Sequence, residues 1–159
     1  MVLDQGVRLE APVSPHLAAM RAGTLLALDP LLSLAASQPD DARWIVEGAG
    51  GVLVPINRTS LMVDLIQQLG LPALVVTRTT LGTINHTLLT LEALRARRVS
   101  VAGVVMNGPE DADNRRSIET YGGVPVVGEL PPLDPLSPSA LADRSHLVDP
   151  ARRLEAFLR

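Results

Sequence analysis

The chain contains no cysteine. Disulfides, thiolate zinc sites and thiol nucleophiles are all excluded, and a reducing compartment suits the composition. Aromatic residues are almost as scarce, with Trp44, Tyr121 and Phe157 the whole set. The core must be aliphatic, and the stacking platforms that single-stranded nucleic acid requires are missing. Positive charge is in deficit: 14 Lys plus Arg stand against 17 Asp plus Glu, a formal net charge of -3, so no nucleic-acid partner is expected. No apolar run reaches the roughly 18 residues of a membrane-spanning helix, and Asp4, Arg8 and Glu10 interrupt any signal-peptide pattern near the start. The expectation is a cytoplasmic protein with no membrane partner. One motif is also missing: no Gly-x-x-x-x-Gly-Lys-Ser/Thr stretch, the phosphate cradle of many nucleotide-binding folds, occurs in the 159 residues.

What is present is aliphatic material in alternating blocks. Hydrophobic residues make up 47% of the chain, enough for a buried core, and 159 residues fit a single domain spanning 1–159. Short runs of β-branched and aliphatic residues, Trp44 to Glu47, Ala73 to Thr77, Val101 to Met106 and Val124 to Val127, read as strands buried on both faces. Between them lie helical stretches with recognisable ends. Ser14-Pro15 and Asp29-Pro30 offer an N-cap and first-turn proline, the latter before Leu31 to Ala36; Leu61 to Leu69 stops at Gly70; Thr83 to Arg97 finishes in arginines. The arginines suit the negative end of a helix dipole. Asp149-Pro150 announces a final helix from Ala151 to Arg159, and four prolines between Leu130 and Ser139 predict a loop. The fold class is therefore α/β, a mainly parallel sheet flanked by helices. Residues 1–12 hold no complete strand-and-helix unit, and four strands are few for such a sheet. An N-terminally incomplete domain is expected.

Three segments could carry chemistry. Glu47 ends a strand candidate and runs into Gly48, Ala49, Gly50 and Gly51, small residues that allow close backbone approach to a ligand; such a carboxylate suits a hard divalent cation, or else is a solvated strand end. Leu81-Gly82-Thr83-Ile84-Asn85-His86 lies at a helix start, where free amides could receive a carboxylate or phosphate, or where an ordinary cap would suffice. Asn107-Gly108 closes another strand; its amide could pair with a base edge, although Asn-Gly is also a favoured turn. His16, His86 and His146 lack metal-ligand spacing, so no zinc site is expected.

Taken in order, Pro12 to Ala19, Val46 to Gly51, Leu81 to His86 with Leu88 to Thr90, Gly103 to Asn107 and Gly128 to Pro131 resemble dethiobiotin synthetase. The resemblance implies a Rossmann-like, P-loop NTPase type of fold and a homodimer. It also implies the activity: carbon dioxide joins 7,8-diaminopelargonate, ATP phosphorylates the carbamate, and the ureido ring closes with loss of phosphate. ATP and Mg2+ are the implied cofactors. Glu47 corresponds to the magnesium ligand, Gly48, Ala49 and Gly50 to the nucleotide-contacting turn, Asn107 and Gly108 to the adenine-reading turn, and Pro131, Pro132 and Leu133 to the loop flanking the base. Leu81, Gly82, Thr83, Ile84 and Asn85 correspond to the helix start that receives the substrate's carboxylate across the dimer. The family's P-loop strand, the substrate-side lysine and the aspartate that shares the magnesium have no counterpart here. No catalytic residue is thus assigned, and negligible turnover is expected of this chain alone. Three expectations follow: a dethiobiotin synthetase whose chain starts late, a half-enzyme completed by another polypeptide, or a non-catalytic interaction module. A related ATP-dependent amidoligase is the enzymatic alternative, although residues 134–159 are too few for a fused glutaminase.

Overall fold

Punctuation by glycine, proline and short polar side chains sets most element boundaries. The structure, a computed structural model, describes residues 6–39 and 43–157. Two compact units are present, Met1–Leu71 and Pro72–Arg159.

In the first unit, helix α1 covers Pro15–Arg21, α2 Leu28–Ala36 and α3 Met62–Leu69. Pro15 takes the first helical position as expected, but the Ser14 hydroxyl makes no capping bond; its carbonyl receives the Ala18 amide at 2.9 Å. Helix α2 starts three residues before the expected Leu31, with Ala27 as N-cap, so Asp29-Pro30 lies inside the first turn. Proline is tolerated there because first-turn amides have no intrahelical acceptor. Gly70 ends α3 in the left-handed conformation, φ 66°, as the sequence suggests. Leu28, Ile56 and Met62 form the buried cluster of this unit, with Leu26, Leu32, Leu65 and Ile66 packed on it. Asn57 holds the intervening turn: its Oδ1 accepts the amides of Thr59 and Ser60, and its Nδ2 donates to the Leu26 carbonyl at 2.8 Å.

The expected strand Trp44 to Glu47 is not a strand. Its backbone runs irregularly, Ile45 is 91% exposed and Val46 51%. A buried parallel strand exists only with neighbours that take its amides and carbonyls. Every strand pair among the described residues lies in the second unit, so the segment has the composition of an inner strand without the partners. Residues 6–12 likewise hold neither helix nor strand, whereas 1–5 lie outside the described residues.

The second unit alternates β1 (Ala73–Arg78), α4 (Thr83–Ala96), β2 (Val101–Asn107), α5 (Ala112–Gly122), β3 (Val126–Leu130) and α6 (Pro138–Arg144). The strands form one parallel sheet in the order β1-β2-β3. The α/β class is thereby observed, with three strands rather than the expected four. Val104, Met106, Ile118 and Val126 make the core, supported by Val75 and Val124. Gly122 lets α5 approach α4: a Cβ there would stand 2.9 Å from the Leu91 Cδ1. Arg95, in the last turn of α4, donates from Nη2 to the Gly122 carbonyl and ties the two helix ends together.

Helix α5 was not expected, because its segment is polar and only Ile118 and Gly122 are buried. Its ends are nevertheless marked. Asp111 caps it by accepting the Asn114 amide at 2.9 Å, and Gly123 ends it at φ 57°. Strand β3 begins at Val126, two residues later than expected: the Pro125 carbonyl accepts the Val104 amide, but proline has no amide to donate in return, and the paired residues start at Val126. The expected loop Leu130 to Ser139 gives way at Pro138, where α6 starts with Ser137 as N-cap. The expected final helix is instead a 3-10 turn over Arg153–Phe157. Arg152 has a left-handed φ of 53°, and the Asp149 carboxylate takes the amides of Arg153 and Leu154, so α-helical bonding cannot begin there. Residues 158 and 159 of that expectation lie outside the described residues.

Candidate functional site

The small residues after Glu47 build a turn that is fastened to α3. The Val52 and Val54 carbonyls accept the first-turn amides of Val63 and Met62 at 2.8 and 2.9 Å. Gly50 turns the chain at φ 82°, and a Cβ there would lie 3.1 Å from Val54 Cγ2. The position therefore demands glycine twice, for conformation and for space. Glu47, Gly48, Ala49 and Gly50 are all exposed. The Glu47 carboxylate makes neither an ion pair nor a hydrogen bond among the described residues, which leaves its oxygens available to a cation. A single carboxylate is a weak site, however, and no group of three or more potential metal ligands occurs among the described residues. Among the described residues, His16, at the start of α1, has a buried Nδ1 with no hydrogen-bond partner, and Trp44 a buried Nε1 with none.

In the second unit the remaining sequence-derived residues gather at the carboxyl ends of the three strands, the edge where open α/β sheets bind ligands. Register places Arg78, Asn107 and Leu130 side by side. Asn107 is exposed, and Gly108 donates its amide to the Leu130 carbonyl at 2.9 Å, which fastens the Asn-Gly turn to the strand end from which Pro131, Pro132 and Leu133 lead away. Pro132 and Leu133 line a cavity of about 240 Å³ with Asp134, Asp143 and Arg144. Glu129, just before this loop, pairs with Arg115 at 2.5 Å.

The helix-start segment occupies the same edge. Gly82 is the N-cap of α4 with φ 91°, and no side chain caps the helix. The Thr83 amide is spent on the Thr80 carbonyl and the His86 amide on Gly82, so the outward donors of the first turn belong to Ile84 and Asn85. Leu81 and Thr83 help line a second cavity, about 270 Å³, against β1. Leu81 and Asn85 are exposed.

Two structural elements here were missed by sequence reasoning. Asn114, on the unforeseen α5, donates from Nδ2 to the Thr79 carbonyl at 2.9 Å and to Asp111 Oδ2 at 2.8 Å. Thr79 packs against Gly108, where any Cβ would collide with its hydroxyl. The helix-start loop and the Asn-Gly turn are thereby locked together. Thr77, Thr83 and Thr87 form a second network, with Oγ1 to Oγ1 distances of 2.6 and 2.8 Å. The spacing Asp111-x-x-Asn114 before a polar stretch could have revealed the cap that orients Asn114, though not its reach to Thr79; nothing in the sequence marks the second.

Against known proteins, the family model described as "AAA domain" matches residues 1–140. The chain belongs to this AAA-domain family. Among curated relatives, it is 51% identical over 136 residues, 86% of its own length, to the ATP-dependent dethiobiotin synthetase BioD of Paramagnetospirillum magneticum. It is 45% identical over 141 residues to the protein of the same name from Rhizorhabdus wittichii, and 47% over 133 residues to the biotin biosynthesis bifunctional protein BioCD of Bordetella avium. The chain spans 64% of the first relative, 66% of the second named and 28% of the bifunctional one. The resemblance to dethiobiotin synthetase is thus borne out over the matched residues, as is the α/β class. No described helix is long and apolar enough to cross a membrane.

Proposed function

We propose that this chain forms the larger part of an ATP-dependent dethiobiotin synthetase, a ligase of biotin biosynthesis that makes C–N bonds by carboxylating and cyclising 7,8-diaminopelargonate. The observation that carries the proposal is the 51% identity over 86% of the chain to a dethiobiotin synthetase. The clustering of Asn107, the Pro131 to Leu133 loop and the α4 start on one sheet edge supports it independently. On this reading residues 1–159 are one dethiobiotin-synthetase-like domain of cytoplasmic location, acting as a homodimer. The exposure of Leu81 beside the α4 start is what a second copy would cover.

Each residue group has a chemically suitable task. Asn107 offers a donor and an acceptor for the adenine edge, with Gly108 and Pro131, Pro132 and Leu133 flanking the base. The Ile84 and Asn85 amides and the α4 dipole suit the substrate's carboxylate, held by Leu81, Gly82 and Thr83. Glu47 fits one oxygen position around Mg2+, with Gly48, Ala49 and Gly50 allowing close approach of phosphate oxygens. Magnesium, when bound, neutralises phosphate charge. The chain itself cannot supply the ammonium groups such chemistry uses, because all 14 cationic side chains are arginine and no lysine is present. On this reading such groups would have to be supplied to the site from outside these residues, and the chain alone is expected to show negligible turnover.

The test is conversion of labelled bicarbonate into acid-stable dethiobiotin by a protein that carries this chain with upstream sequence in frame, with ATP, Mg2+ and diaminopelargonate supplied. Conversion that Glu47→Gln suppresses at least tenfold supports the assignment. Absence of conversion, with nucleotide still bound, would point to the related amidoligase.

A further inference from the structure

Thr77 lies in β1, Thr83 is the first residue of α4, and Thr87 sits one turn further along. Thr83 and Thr87 are 4% and 2% exposed, an unusual burial for two hydroxyls in consecutive turns. Proton counting fixes the direction of every bond among them. The Arg78 carbonyl can only accept, so the single hydroxyl proton of Thr83 goes to it, at 2.6 Å. Thr83 must then accept from Thr77 at 2.6 Å. With its own proton spent, Thr77 must accept from Thr87 at 2.8 Å. The result is a one-way chain, Thr87 to Thr77 to Thr83 to the Arg78 carbonyl, in which each bond polarises the next inside a low-dielectric wall.

Its position gives it a use. Arg78 is the last residue of β1 and pairs in register with Asn107, so the chain joins the strand end to the helix start across residues 79–82. Those residues include Gly82 at a left-handed φ of 91°, and no side chain caps the helix that follows it; the Asn114 bond to the Thr79 carbonyl holds only their first residue. The three threonines also line the 270 Å³ cavity beside Leu81 and His86. We infer that Thr77, Thr83 and Thr87 are positioning residues that hold the Leu81 to Asn85 segment in the geometry its outward amides need to receive a carboxylate. The inference rests on the assignment of that segment to the diaminopelargonate carboxylate; the hydroxyl chain itself does not.

Valine reproduces the shape of threonine without its hydroxyl, and serine keeps the hydroxyl with less bulk. The experiment compares Thr77→Val and Thr77→Ser by two-dimensional amide NMR of the full chain, followed by titration with diaminopelargonate. Thr77→Val should displace the Leu81 to His86 amide resonances and weaken binding about tenfold, the worth of roughly one hydrogen bond, with Thr77→Ser within about threefold of wild type. Thr87→Val, which removes only the terminal donor, should have the smallest effect and serves if Thr77→Val does not fold. Thr83→Val, which strips the Arg78 carbonyl, should have the largest. Wild-type resonances and affinity in Thr77→Val, or equal displacement by valine and serine, would overturn the inference in favour of simple core filling. An effect of Thr87→Val larger than that of Thr83→Val would overturn the bond direction. Should wild type not respond to diaminopelargonate, the carboxylate assignment fails; displaced resonances in Thr77→Val but not in Thr77→Ser then uphold the positioning of the segment, and undisplaced ones overturn it.

Discussion

Replacing Gly108 by alanine should unfasten the ligand edge of the sheet. A Cβ at this position would overlap the Thr79 hydroxyl and approach its Cβ to 3.3 Å, on a backbone whose φ of 148° suits glycine. Thr79 cannot simply withdraw, because its carbonyl is held by Asn114 Nδ2 at 2.9 Å and the residue is only 9% exposed. Overpacking of a fixed site costs about 1–3 kcal/mol. The strained backbone adds about 1 kcal/mol or more. A total near 2–4 kcal/mol should lower the melting temperature by at least ~4 °C, at about 2–4 °C per kcal/mol for a chain of this length. Circular dichroism melts of four proteins, wild type, Gly108→Ala, Thr79→Ala and the double variant, measure it. Thr79→Ala removes the clashing hydroxyl but keeps the carbonyl that Asn114 holds, so the double variant should recover the steric share and not the backbone share. The coupling should be about 1 kcal/mol or more. A Gly108→Ala melt within ~1 °C of wild type, or strictly additive losses in the double variant, would refute the lock between the two loops.

Asp111→Ala should destabilise by about 0.5–2 kcal/mol, since it removes the α5 N-cap and the Asn114 anchor together; an unchanged urea midpoint would contradict the capping geometry. Arg115→Ala removes the pair to Glu129 and the 3.0 Å bond to the Val126 carbonyl, and its partial exposure limits the loss to about 1–2 kcal/mol. Arg115→Lys should recover less than half of that loss, because one ammonium cannot serve both acceptors, and full recovery would count against the paired geometry. Glu47→Gln should leave the melting temperature within about 1 °C, as an exposed carboxylate with no partner among the described residues has little to lose on substitution. A larger shift would show that Glu47 serves the fold rather than a cation.

The alternation of aliphatic runs with capped helical stretches was enough to place β1, β2, α3 and α4, because those elements satisfy their polar groups locally or with sequence neighbours. Trp44 to Glu47 shows the opposite case: composition proposes an inner strand, but strands form from pairing, and no partner lies among the described residues. Helix α5 escaped notice because one buried isoleucine gives no periodicity, although Asp111 and Gly123 mark both its ends. In the candidate site, residues at strand ends were legible one by one, since Asn107 and Gly82 follow directly from strand and helix boundaries. Their fastening was not. Thr77 reaches Thr83 and Thr87, and Asn114 reaches Thr79, only after β1, α4 and α5 have packed, and no linear spacing encodes those contacts.

Isothermal calorimetry of Mg2+ with ATP tests the central claim most directly, on this chain and on a version extended upstream in frame. The account predicts binding by the extended protein, weakened at least tenfold by Glu47→Gln, and little or no heat from the chain alone, which has no lysine and, among the described residues, no group of three or more potential ligands for the ion. Failure of both versions to bind nucleotide, or equal affinity with and without the upstream residues, would contradict it.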